Sequence, residues 1–322
     1  MPSLTYRITE RLIALSGARR MMAKEGEAFS KMIMKMGRKQ SVRVPRSINK
    51  KCDLSEGKIG KHRYFVISKK DAKPRRAVLY LFGGGYVLPP DKGDFLFAVE
   101  TAEATDAEVW FPVYPLLPRY KLVDAVRMVM EIYGMMLERF PAEQITFIGF
   151  SSGAALACSV CIQNKQEGFR YPMPSSLILV SSGTQLPPSG EQMREMERLA
   201  PKDPMIPPSF FQNIGPLLAA QEDRYLLSPA LYDLTGFPKL VLYYGTHEVM
   251  LAFLPAMQAA AGRANVECTV HIGEGLCHCW PMLGFTKEGR QSREEIYSSV
   301  VEPRKSHAAL TGGMNQEGTG KA

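Results

Sequence analysis

Apolar residues recur at helical spacing from roughly Leu4 to Gly37, at Ile8, Leu12 and Leu15, then Met22, Phe29, Ile33 and Met36, with basic residues between them. That period predicts helix. Methionine is frequent here and suits adaptable apolar contact, so the segment reads either as a lid over an apolar pocket or as plain packing against the body. After a basic linker around Pro45 to Lys51 the period changes. Arg63–Ser68, Ala77–Phe82 and Ala107–Pro112 read as strands, the second running into three glycines. A helix is predicted from Lys121 to Phe140, with Leu122, Val126, Val129, Met130, Tyr133 and Leu137 at helical spacing. The strand "ITFIGF", a helix from Ser152 to about Gln166 and the strand Ser176–Ser182 follow. From about Gln185 to Arg224 proline and polar residues dominate, with a short charged helix near Glu191 to Leu199, so this stretch reads as an insertion. Regularity returns with the strand "KLVLYYG", a helix over Leu251–Ala261, the strand "ECTVHIG" and a last helix near Ser292 to Val301. Apolar strands alternating with helices predict a mostly parallel sheet covered on both faces.

Composition narrows this picture without redirecting it. At 322 residues and 45 % hydrophobic content the chain can bury a sizeable core. No apolar run approaches the length of about 18 residues that a membrane span needs. Arg7, Glu10 and Arg11 interrupt the N-terminal apolar stretch before a signal peptide could build. Six cysteines give no dense disulfide framework and read as reduced, mostly buried thiols. A cytoplasmic location is expected. The charge is uneven: Met1 to Arg76 holds 21 Lys+Arg against 6 Asp+Glu, a balance of +15, whereas the remainder holds 19 against 26. A solvated basic helix face explains this, and so does weak attraction to an acidic surface such as a membrane. No nucleic-acid partner is expected, and nothing in the sequence sets an oligomeric state.

In a sheet of this kind the reacting groups lie beyond the carboxyl ends of the strands. Three ends carry useful chemistry. Ser151 sits in "GFSSG" between a strand and a helix, Glu248 follows "LVLYYGTH", and His278 follows "ECTVHIGEGLC". Gly-x-Ser-x-Gly in that setting lifts a serine hydroxyl clear of the backbone, where it can serve as a nucleophile; the alternative is an ordinary turn serine. A serine needs a base. His278 is the candidate, with His247 as a rival and His271 read as a packed core residue. Glu248 would hold the imidazole tautomer, or else it is a carboxylate favoured at a helix start. The glycines of "FGGGY" would let Gly84 and Gly85, with the N–H of Ser152, face a developing oxyanion. They lack the lysine and spacing of a phosphate loop. The "CHC" string, Cys277 to Cys279, lacks a fourth ligand for zinc, so neither a metal nor a cofactor is expected.

These stretches resemble the hormone-sensitive-lipase-like branch of the α/β-hydrolases, a group of carboxylesterases and lipases. "FGGG" is similar to the branch's His-Gly-Gly-Gly, "VYPLLPRYKLVDAV" to its Tyr-Arg-Leu-Ala-Pro-Glu segment, and "GFSSGA" to Gly-Asp-Ser-Ala-Gly-Gly. "YYGTHEVML" and "GLCHCWPM" are similar to the acid and histidine boxes. The resemblance runs from about Ala77 to Pro281. It implies an α/β-hydrolase fold with a helical cap, Ser151 as nucleophile, Glu248 as acid, His278 as base, and Gly84, Gly85 and Ser152 as oxyanion donors. It also implies residues 1–50 as an N-terminal cap segment and 51–307 as the catalytic domain with a cap insertion at about 185–225. Residues 308–322 would form a flexible tail. Phe82 stands where the branch has histidine, and Phe150 where it has aspartate. The expected reaction is hydrolysis of a small-molecule carboxylic ester with an apolar acyl or aryl group. Amide hydrolysis by the same machinery, or a hydrolase-shaped binding protein for an apolar ligand, are the other readings.

Overall fold

Among the described residues, eight strands hydrogen-bond into one sheet in the order β1-β2-β4-β3-β5-β6-β7-β8. The computed structural model describes residues 1–38, 44–45, 48, 51–221 and 223–301. The tail expected after His307, and part of the linker around Pro45 to Lys51, lie outside them. β1 (Cys52–Ile59) and β2 (His62–Lys69) form an antiparallel hairpin, and β2 pairs antiparallel with β4 (Glu108–Pro112). From β4 through β3 (Ala77–Leu81), β5 (Ile145–Phe150), β6 (Ser176–Val180) and β7 (Lys239–His247) to β8 (Cys268–Cys277), every pairing is parallel. β3, β4, β5 and β6 are buried at every position, so both faces of the sheet centre are covered. Their near-continuous apolar runs follow from that double burial.

The predicted helices are present as α5 (Leu122–Leu137), α6 (Ser152–Gln166), α7 (Gly190–Leu199), α9 (Leu254–Arg263) and α10 (Lys287–Val301). Two further helices escape the periodicity. In α4 (Lys92–Thr105), Phe95, Phe97, Ala98, Val99 and Ala102 are all buried, so no single apolar stripe marks it. Asp91 caps it and exchanges hydrogen bonds with Asp94. α8 (Ser209–Ala219) lies in the insertion and carries Pro216 inside it, which obscures a helical reading. β1 was missed for another reason: it is a largely exposed edge strand whose sequence, "CDLSEGKI", carries little apolar signal.

The N-terminal segment is three helices rather than one: α1 (Leu4–Leu15), α2 (Ala18–Met22) and α3 (Gly26–Arg38). The break falls at Gly17, whose φ of 81° suits glycine. α1 is tied to the sheet's carboxyl end. The buried Tyr6 hydroxyl accepts the N–H of Cys277 at 2.6 Å, and Glu10 pairs with His247 at 2.8 Å. The Ser3 hydroxyl donates to Glu288 at 2.8 Å. α2 and the turn after it meet the insertion, where Arg19 donates to the Asp203 carbonyl and Asn213 to that of Lys24.

Candidate active site

Ser151 joins β5 to α6 with φ 51° and ψ −120°, a backbone conformation rare for any residue but glycine. Its N–H donates to the Val180 carbonyl at 2.8 Å, and its own carbonyl accepts from Ala154 at 3.1 Å. The flanking glycines have steric reasons. A Cβ at Gly149 would lie 2.5 Å from Ala154 Cα, and one at Gly153 would strike the carbonyl oxygens of Leu81 and Phe82. The elbow therefore depends on both glycines, as the motif predicts.

His278 and Glu248 meet. His278 Nδ1 is 2.7 Å from Glu248 Oε2, with the histidine 7 % exposed and the glutamate fully buried. Glu248 Oε1 accepts the N–H of Gly245 at 2.6 Å and the Ser181 hydroxyl at 3.0 Å. The carboxylate is thus satisfied on both oxygens by partners within the protein. With Nδ1 engaged, Nε2 is the nitrogen left for chemistry. Burial of the ring works against its charge. The Cys279 side chain and the Glu248 carboxylate work the other way and prevail, so the pKa stands well above the ordinary imidazole value.

Ser151 and His278 line the same cavity, of about 460 Å³. Gly83, Gly84, Gly85 and Ser152 border it too. Ser152 is the first residue of α6, where backbone N–H groups lack helical acceptors. Gly84 and Gly85 take φ values of 120° and 60°, and a Cβ at Gly85 would come within 2.6 Å of Phe210. Phe82 does not leave this loop unheld. Its ring stacks on Tyr114 at 4.1 Å between centroids, and the Tyr114 hydroxyl donates to the Phe82 carbonyl at 2.6 Å. The remaining wall is mostly apolar: Leu88, Phe150, Met250, Met282 and Leu283 from the sheet's side, Leu186, Met205, Ile206, Phe210, Phe211 and Ile214 from the insertion, and Ile13, Ala18 and Met22 from the N-terminal helices. Asp91 and Asp94 add carboxylates to it. Burial pushes the Asp94 pKa up to about 6, against hydrogen bonds from Tyr80 and the Asp91 N–H that lower it.

The other histidines go elsewhere. His247 is occupied by Glu10. His271 is half-buried rather than a core residue: it lies on the edge strand β8, stacks on Tyr243 at 4.4 Å and pairs with Glu295 at 3.5 Å. Cys277 is buried with its N–H on Tyr6, whereas Cys279 borders the cavity. Sequence patterns gave no sign of Ser181, Tyr114 or Asp94. A serine or tyrosine that acts on a neighbouring loop leaves no local spacing to read.

A family model described as alpha/beta hydrolase fold matches residues 78–282, a span that holds Ser151, Glu248 and His278. The chain belongs to the α/β-hydrolase fold family. An acetyl-hydrolase of Streptomyces hygroscopicus is 28 % identical over 225 residues, 68 % of this chain and 73 % of that one. An esterase of Acinetobacter venetianus is 24 % identical over 233 residues, 71 % of this chain and 75 % of its own. Among solved structures, EstE5 soaked with p-nitrophenyl butyrate aligns with a TM-score of 0.77 at 21 % identity, over 94 % of this chain and 99 % of that one. A hormone-sensitive lipase from a metagenome library aligns with a TM-score of 0.75 at 22 % identity, over 91 % of this α/β-hydrolase and 97 % of that chain. Among the described residues of the hydrolase, no helix is long and apolar enough to cross a membrane.

Proposed function

We propose that this α/β-hydrolase cleaves carboxylic esters of small molecules through an acyl-serine intermediate, with Ser151 as nucleophile, His278 as base and Glu248 as its orienting acid. The observation that carries the reading is the buried contact of 2.7 Å between His278 Nδ1 and Glu248 Oε2, made beside a cavity that the strained Ser151 also lines. Ester hydrolysis agrees with the acetyl-hydrolase and esterase relatives.

His278 Nε2 takes the Ser151 proton as Oγ attacks the carbonyl carbon. Glu248 stabilises the imidazolium through Nδ1. The N–H groups of Gly84, Gly85 and Ser152 receive the oxyanion, each such donor being worth about 10²–10³ in rate where one has been removed elsewhere. His278 then protonates the leaving alcohol, and water repeats the sequence on the acyl-serine. No resident metal or organic cofactor has a part in these steps. The apolar wall favours an apolar acyl or aryl group. Residues 1–50 and about 185–225 act as its cap, since both supply cavity side chains. The six unpaired cysteines fit a reducing, cytoplasmic setting.

A fluorophosphonate probe tests the reading directly. Peptide mapping of the folded protein should find the label on Ser151, with none on His278→Ala. Absence of label from Ser151 in folded wild-type protein would remove the proposal.

A further inference from the structure

On α1, Met1, Leu4, Ile8, Leu12 and Leu15 are 118, 70, 49, 61 and 82 % exposed. The spacing from Leu4 to Leu15 is by threes and fours, which sets these side chains in one stripe along the helix, with Met1 at its start. Single exposed apolar residues are ordinary on protein surfaces, but a contiguous row is not. The helix cannot roll to hide the row. Its other face is already fixed by Tyr6 on Cys277 and Glu10 on His247, while Ile13 lines the cavity. The stripe is outward because the inward face has its own work.

Charge indicates what covers it. Arg7 and Arg11 are exposed beside the stripe, and Arg20, Lys24, Lys31 and Lys35 are exposed on α2, α3 and the turn between them. Glu25 and Glu27 oppose them, Glu27 within a pair to Lys31. Over residues 1–38, the three N-terminal helices, 8 Lys+Arg stand against 3 Asp+Glu. An apolar row flanked by arginines, on a helix lying along the surface, matches an interface of acyl chains beneath acidic headgroups. A second copy of this chain fits worse, since it would bring two surfaces of the same sign together.

We propose that the outer face of α1 docks on an acidic lipid surface, its leucines and isoleucine entering the acyl boundary and its arginines meeting phosphate groups. The docked helix also bears Ile13, so the N-terminal wall of the cavity comes to lie next to the bilayer. This surface stands whatever reaction the cavity performs.

The test uses the full chain and vesicles of phosphatidylcholine with or without phosphatidylglycerol. Wild-type protein should co-sediment with the acidic vesicles at low salt and much less at high salt, where exposed charges are screened. Arg7→Gln/Arg11→Gln should weaken binding by about fivefold for each charge removed. Ile8→Glu/Leu12→Glu should weaken it at least as much. Both variants should retain wild-type melting and turnover of a water-soluble ester, because none of these side chains lines the cavity. Should the second variant fold poorly, the arginine pair carries the test alone. The proposal is overturned by absence of binding to acidic vesicles, by equal binding to neutral ones, or by variants that bind like wild type. Lipid-free dimers that Ile8→Glu/Leu12→Glu dissolves would also overturn it, assigning the stripe to a second copy.

Discussion

The Ser181 hydroxyl donates to Glu248 Oε1 at 3.0 Å. Ser181 Oγ in turn accepts the N–H of Cys279 at 3.0 Å, so one side chain ties the acid after β7 to the histidine loop after β8. Ser181 is fully buried and holds φ at 52°. In the proposed mechanism it sets where the carboxylate meets the imidazole. A hydrogen bond to a charged group is worth about 1.5–3 kcal/mol, so losing it should lower kcat by about tenfold or more. Ser181→Gly separates this from backbone strain, because glycine accepts the positive φ without cost. Ser181→Gly and Ser181→Ala should lose kcat alike, with KM little changed. Wild-type kcat in Ser181→Gly would show that the hydroxyl positions nothing.

The raised pKa of His278 sets a direction for pH dependence. A general base acts only when neutral, so kcat/KM should climb as pH rises through that pKa and be higher at alkaline than at neutral pH. Cys279 is among the causes of the shift, whereas burial alone would lower it. Cys279→Ala should therefore move the climb to lower pH while Glu248 stays in place. Rate–pH profiles of both proteins on one soluble ester decide this. Superimposable profiles would show that Cys279 does not tune the base.

That Ser151, Glu248 and His278 stand at strand ends was legible because the apolar runs before them are unmistakable, and such ends converge in a parallel sheet. The glycines were legible for a steric reason that the close approaches at Gly149 and Gly153 make concrete. What escaped did so for physical reasons. β1 is an exposed edge strand, and its polar sequence leaves little alternation to detect. α4 is packed on several sides, which erases the amphipathic stripe. The support of the site comes from Ser181, Tyr114 and Tyr6, which act across long sequence separations. No pattern in one sequence couples Tyr6 to Cys277, although they share a hydrogen bond of 2.6 Å.

Phe82 removes a hydrogen-bonding side chain from the glycine loop, and Tyr114 supplies one from the other side. Tyr114→Phe would keep the ring stacked on Phe82 but leave the Phe82 carbonyl without its donor in a buried place. An unsatisfied buried group costs about 1–3 kcal/mol, which urea titration would register as a lower midpoint with an unchanged slope. The loop carries Gly84 and Gly85, so kcat should fall along with stability. A variant that is destabilised but keeps full kcat would mean the loop's geometry is set elsewhere.

Asp94 tests whether the cavity's carboxylate end stores instability. Its pKa is about 6 in the folded chain against an ordinary value near 3.8. The folded state therefore holds this proton more tightly than the unfolded one. That contribution is fully present below about pH 4 and is lost as pH rises through about 6, a total of about 3 kcal/mol. Asp94→Asn does not titrate, and its amide can accept from the Asp91 N–H while donating to the Tyr80 hydroxyl, preserving both contacts. The stability of Asp94→Asn relative to wild type should then grow with pH between 4 and 7. Urea midpoints across that range measure the gap. A gap that stays constant with pH would show that Asp94 titrates alike in the folded and unfolded chain, and that its burial by the cavity wall costs nothing.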